Sequence, residues 1–142
     1  MQKGNTKPAK IALVEDNPAD IEIIRFLLSQ WNSPVELVVF ETGESLLGQL
    51  ETHPDSFHLQ LILLDLNLPG IPGMEIINRL KNHPEWKRIP LVVFTSSSYP
   101  PEIEEAYRRG ANGYVCKPLD LADLENLLKG ILHFWTQVNT LD

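Results

Sequence analysis

Cysteine is nearly absent: Cys116 is the single one among 142 residues. That excludes an intramolecular disulfide and a cysteine-based zinc cluster, and it suits a reducing cytoplasm. Cationic side chains are also outnumbered, with 12 Lys and Arg against 19 Asp and Glu for a formal net charge of −7. No basic stripe runs along the chain. Phosphate backbones and acidic lipids need clustered Lys and Arg, so neither a general nucleic-acid binder nor a membrane-surface binder is expected. Long apolar runs are missing as well. Met1 to Ala9 carry Lys3, Lys7 and Pro8 and no apolar segment of the length that a signal peptide or a bilayer span requires. Residues 1–9 are expected to form a loose arm. No internal repeat or low-complexity segment appears, and the length suits one domain with one sizeable core.

What the chain has instead is a series of short apolar runs that end in polar groups. Leu61 to Leu64 lead to Asp65, and Pro69-Gly70 break the run. A run of this kind suits a strand buried on both faces, as in a parallel sheet covered by helices. Taken alone, Asp65 is better explained as the start of a turn, and the rest of the chain has to change that reading. Lys10 to Val14 likewise end at Glu15-Asp16. Pro18 fits the first turn of a helix carrying Ile21, Ile24, Phe26, Leu27 and Leu28 towards Trp31, which Asn32-Ser33-Pro34 break. Val35 to Phe40 form the next strand, followed by a helix with Leu46, Leu47 and Leu50 and a loop over His53 to Phe57. Beyond Pro72-Gly73, a helix with Met74, Ile76, Ile77 and Leu80 runs to His83-Pro84.

Ile89 to Phe94 form a fourth strand that enters Thr95-Ser96-Ser97-Ser98. Pro100 and Pro101 precede an acidic helix closed by Arg108-Arg109-Gly110. Gly113 to Cys116 form a brief fifth strand, closed by Lys117-Pro118. Asp120 caps a last helix with Leu121, Leu124, Leu127, Leu128, Ile131 and Leu132 on its apolar stripe. This alternation predicts an α/β fold: a doubly wound, five-stranded parallel sheet with helices on both faces. Of the common strand orders, the flavodoxin-like 2-1-3-4-5 fits.

In such a sheet the carboxyl ends of the strands present Glu15, Asp16, Asp65, Thr95 and Lys117 along one edge, where open α/β sheets bind ligands. Three neighbouring carboxylates repel one another unless a cation binds among them, and oxygen-only ligands favour Mg²⁺ or Mn²⁺. Lys117 adds a positive charge and Thr95 a hydroxyl. The set suits a phosphoryl group. Metal and ammonium neutralise its oxygens while a carboxylate oxygen of Asp65 attacks phosphorus in line, and the Glu15-Asp16 pair holds the metal.

These residues resemble the receiver domains of two-component response regulators. The shared features are the acidic pair in Val14-Glu15-Asp16-Asn17, the acceptor Asp65 with Pro69 and Gly73 at fixed offsets, Thr95 after the fourth strand, and Lys117-Pro118 after the fifth. They extend from about Lys10 to Leu132, within a receiver domain expected over residues 10–133, with a helical extension over 134–142. The resemblance implies that Asp65 accepts a phosphoryl group from a sensor histidine kinase. It implies that Asp16, Asp65 and the backbone carbonyl of Asn67 ligate Mg²⁺, with Glu15 on a metal-bound water. It also implies a cis peptide bond at Lys117-Pro118, aiming the ammonium into the site. Thr95 and Tyr114 would form the switch, Thr95 moving towards the phosphoryl oxygens and Tyr114 turning inward. Asn67 and Ser97 occupy the positions at which receivers tune autodephosphorylation.

Two positions depart from the family pattern. Ser96 stands where Ala or Gly is usual, a larger polar side chain that would narrow the approach to Asp65, and Pro72 replaces the usual Asp or Ser before Gly73. The histidines His53, His58, His83 and His133 share no ligand spacing and are expected to be solvated or to cap helices. Cys116 is expected to pack as a small apolar residue. Beyond Leu132 the apolar stripe continues through Trp135 and Val138. Either the tail folds back on the body or it meets another chain, and the second alternative is preferred. The tail and the segment Val14 to Asp20 are similar to those of single-domain regulators that partner bacterial and cyanobacterial phytochromes, which implies a homodimer through the face of the fourth and fifth helices. Little chain is left after Leu132 for an effector.

Two other functions share parts of this pattern. A haloacid-dehalogenase-like phosphatase also uses an Asp nucleophile, Mg²⁺ and Lys, but it wants a second Asp where Asn67 stands, and Asn cannot give and regain a proton. A flavin-binding flavodoxin-like domain would have its phosphate repelled by Glu15-Asp16.

Overall fold

Short, mostly apolar runs of four to six residues become the five strands of one parallel sheet, β1 (Ala9–Val14), β2 (Val35–Phe40), β3 (Leu61–Leu64), β4 (Leu91–Thr95) and β5 (Gly113–Cys116), in the order β2-β1-β3-β4-β5. The computed structural model describes residues 8–31, 35–53 and 58–141. Most of the expected N-terminal arm, the break at Asn32-Ser33-Pro34 and most of the loop over His53 to Phe57 lie outside these described residues. Between the strands lie α1 (Pro18–Gln30), α2 (Gly43–Thr52), α3 (Gly73–Lys81) and α4 (Pro100–Arg108), and α5 (Leu121–His133) follows β5.

Strand alternation divides the core into two layers. Ile11, Leu13, Leu61, Leu63, Val92 and Phe94 face one side of the sheet, where α1 supplies Ile24 and Leu27 and α5 supplies Leu128 and Leu132. Ala12, Val14, Ile62, Leu64, Leu91 and Val93 face the other, where α2, α3 and α4 supply residues such as Leu46, Leu50, Ile76, Leu80 and Ala106. Both faces of the inner strands are thus committed to apolar packing, and polar chemistry is confined to the strand ends.

The helix starts follow local rules. The Asn17 side chain accepts from the Ala19 N–H at 2.9 Å with Pro18 in the first turn of α1, Thr42 accepts from the Ser45 N–H at 3.1 Å, and Asp120 accepts from the Ala122 N–H at 3.0 Å. Of the boundaries that differ from expectation, two are set by proline. β4 begins at Leu91 rather than Ile89, because Pro90 has no N–H to enter the ladder and contributes only its carbonyl, which accepts from the Ile62 N–H at 2.9 Å. Pro100 and Pro101 form the first turn of α4 instead of preceding it, a place where a missing N–H costs nothing.

At the C-terminus α5 passes into a π-helical turn, Phe134–Val138. Trp135 packs on the layer formed by α1 and α5, and the Leu141 carbonyl accepts from Arg88 Nη2 at 2.8 Å. The tail therefore folds back on the body, while Phe134 and Val138 remain exposed. No described helix is long and apolar enough to cross a membrane.

Candidate functional site

β1 and β3 are neighbours with Val14 opposite Leu64, so the next residue of each strand, Glu15 and Asp65, leaves the sheet beside the other. Backbone hydrogen bonds carry the ladders one residue past the strands: Glu15 N–H to the Phe40 carbonyl at 2.9 Å, Asp65 N–H to the Val14 carbonyl at 3.1 Å, and Lys117 N–H to the Thr95 carbonyl at 2.7 Å. The sheet itself thereby fixes where these side chains begin. Glu15, Asp65 and Thr95 are the buried polar or charged residues among those described.

Lys117 Nζ is the centre of the cluster. It donates to Glu15 Oε1 at 2.6 Å, Asp20 Oδ2 at 3.0 Å and Asp65 Oδ2 at 3.1 Å, and it lies 5.7 Å from the centre of the Phe94 ring. The second oxygens of the two inner carboxylates are also held: Glu15 Oε2 accepts from the Asn17 N–H and Asp65 Oδ1 from the Asn67 N–H, each at 3.1 Å. Burial alone disfavours the Lys117 ammonium. Its hydrogen bonds to Glu15 and Asp20 and the charges of Glu15 and Asp65 outweigh that and raise its pKa above the ordinary lysine value. Burial, with the nearby charge of Asp65, pushes the Glu15 carboxyl up, against the downward pull of Lys117. The carboxylates around Lys117 thus favour its charged form.

Thr95 is fully buried at the end of β4, and its Oγ1 finds no hydrogen-bond partner among the described residues. A buried hydroxyl without a partner is costly, so its position calls for an explanation beyond packing. Ser97 ties this loop to α4 and β5. Its hydroxyl donates to Glu102, and its carbonyl accepts from the Tyr114 hydroxyl at 3.0 Å and from the Cys116 thiol at 3.3 Å. Tyr114 is half-buried against the layer of α2, α3 and α4. Below Asp65, Gly73 sits so close to the preceding loop that a Cβ would lie 2.7 Å from Leu66 Cα, and Gly70 adopts φ +79°. Glycine at both positions lets the loop after Asp65 turn tightly into α3.

The structure brings Glu15, Asp65 and Lys117 into direct contact. Asp16 is exposed at the same edge: consecutive side chains of an extended segment leave on opposite sides, and Glu15 takes the buried one. Among the described residues, no three His, Cys, Asp or Glu side chains form a group that could hold a metal ion. Asp20 is a cluster member that the sequence pattern did not single out. The signal was its place in the first turn of α1, which points an acid back towards the end of β1.

Two expectations are corrected. Among the described residues every peptide bond is trans, including Lys117-Pro118. Trans is the ordinary state even before proline, and the four-carbon stem of Lys117 reaches Asp65 without the cis turn. Cys116 is exposed rather than packed, since it ends the edge strand β5. His83 does cap: its Nδ1 accepts from the N–H groups of Glu85 and Trp86 at 3.1 and 3.2 Å, and its ring stacks on Trp86.

The response regulator receiver domain model matches residues 11–129. The chain belongs to this family. It is similar to the response regulator Rcp1 of Synechocystis, with 34% identity over 99% of this chain and 98% of that protein. Among solved structures it resembles the phosphorylated cyanobacterial phytochrome response regulator RcpA (TM-score 0.86, 37% identity, 94% of this chain and 97% of that one). It also resembles the Mn²⁺-bound form of Rcp1 (TM-score 0.85, 35% identity, 95% and 99% covered). These receivers share the sheet order and the helix placement described above.

Proposed function

We propose that Asp65 is the phosphoacceptor of this receiver and takes a phosphoryl group from the phosphohistidine of a sensor histidine kinase. The observation that carries the reading is the 3.1 Å contact between Asp65 Oδ2 and Lys117 Nζ at the carboxyl edge of the sheet. An Asp65 oxygen forms the new P–O bond as the P–N bond of the phosphohistidine breaks. Lys117 exchanges its bond to Asp65 for one to a phosphoryl oxygen, and the partnerless Thr95 hydroxyl supplies a second donor on a short move. Tyr114 and Ser97 link that move to α4 and β5, so phosphorylation alters the surface that a partner meets. The protein is a signalling module rather than a multiple-turnover enzyme.

The donor set suits Mg²⁺ or Mn²⁺. It offers oxygen alone, from the carboxylates of Asp16 and Asp65, the Asn67 carbonyl and, through water, Glu15. An ion that keeps several waters needs no cage of three side chains. Held there, such an ion would supply positive charge to the phosphoryl oxygens alongside Lys117.

The phytochrome link and the use of a receiver without an attached effector are supported by similarity to Rcp1 and RcpA over nearly their whole length. A homodimer through the face of α4 and α5 is supported by the exposed Tyr107 of α4 and the exposed Phe134 and Val138 that follow α5. Acetyl phosphate with Mg²⁺ should add one alkali-labile phosphoryl group, mapped to Asp65 by mass spectrometry and absent from Asp65→Asn. Labelling that survives that substitution would refute the assignment.

A further inference from the structure

Asp20 belongs to the Lys117 cluster yet has no part in the chemistry proposed above. It stands in the first turn of α1, three residues past the Asn17 cap, with its Oδ2 3.0 Å from Lys117 Nζ. An ammonium has three donors, and carboxylates from three different segments take them, at 2.6, 3.0 and 3.1 Å. Two of those carboxylates have other tasks: Asp65 becomes an acyl phosphate, and Glu15 serves the cation that the donor set suits. Asp20 has neither, and at 36% side-chain exposure it forms the rim of the cluster.

We infer that Asp20 is a positioning residue for Lys117. It anchors the ammonium from the helix side, so that the donor given up by Asp65 faces the incoming phosphoryl oxygens. This rests on the reading of Asp65 as phosphoacceptor. Favourable interaction with the helix N-terminus would by itself place an acid here, and the test separates that role from positioning.

Asp20→Asn keeps the side-chain shape and removes the charge. At saturating Mg²⁺, phosphorylation by acetyl phosphate, followed by intact mass, should be roughly three- to five-fold slower than in the parent chain, the scale of a partly exposed ion pair. On a Lys117→Gln background the same substitution should change nothing, because the group through which it acts is gone. Asp20→Ala gives the same comparison should the amide disturb the first turn of α1, and thermal melts report the folded fraction. Parent-rate phosphorylation of Asp20→Asn, or an equal loss with and without Lys117, overturns the inference. A parent chain that gains no phosphoryl group on Asp65 overturns the phosphoacceptor reading instead.

Discussion

β3 and β5 are both four-residue parallel strands, and both lead directly to a residue of the site, Asp65 in one case and Lys117 in the other. They differ in their surroundings. β3 lies between β1 and β4 and is buried at every position, whereas β5 pairs with β4 alone, is half-buried along its length and ends at the exposed Cys116. Asp65, the proposed nucleophile, is therefore mounted where packing leaves no freedom, and the ammonium and Tyr114 are mounted where it leaves some. A switch needs a low-stability element beside a rigid one, since a rigid group cannot report a change and a loose one cannot aim an attack.

Core truncation is the strongest way to break this comparison. Leu64→Ala removes a fully buried side chain from β3 and should cost about 2 to 5 kcal/mol in denaturant unfolding. Val115→Ala on β5 should cost only about 1 kcal/mol, because the site can relax into solvent. Equal losses would mean that the edge strand is as constrained as the centre, and the division of labour would fail. Thr95→Val tests the junction with the opposite sign. It removes a buried hydroxyl that lacks a partner at nearly constant shape, so stability should rise by about 1 kcal/mol while the phosphorylation-induced change at α4 and β5 is lost. A destabilised Thr95→Val would show that the hydroxyl is already satisfied in the resting protein.

The same contrast decided what was legible in the sequence. Inner strands buried on both faces must be continuous apolar runs, so β1, β3 and β4 stood out, and the polar residue ending each run marked Glu15, Asp65 and Thr95. Lys117 followed from the same logic on β5. Asp20 did not, because it lies on a helix, where an acid in the first turn has an adequate local explanation. The peripheral details were also less legible. The exposure of Cys116 goes with β5 being an edge, which the expected strand order already implies, but a lone cysteine reads as a packing residue. The trans bond at Lys117-Pro118 is the ordinary state before proline, and only the family resemblance points to the other isomer.

The smallest effect is expected at Tyr114, and it sharpens the comparison most. Burial raises its phenol pKa above the ordinary 10.0, the Ser97 side chain opposes that shift and the Glu102 charge adds to it. The fold thus favours the neutral phenol. That contribution to stability is complete below about pH 10 and is lost as pH climbs through the raised value. An absorbance titration should find one tyrosine ionising later than the others, and Tyr114→Phe should remove that late step. At neutral pH the same substitution should cost less than about 1 kcal/mol, since it deletes one hydrogen bond at a half-buried edge. A larger cost would mean that Tyr114 is part of the rigid core, and residues on β5 could not then move to register the proposed phosphoryl group at Asp65.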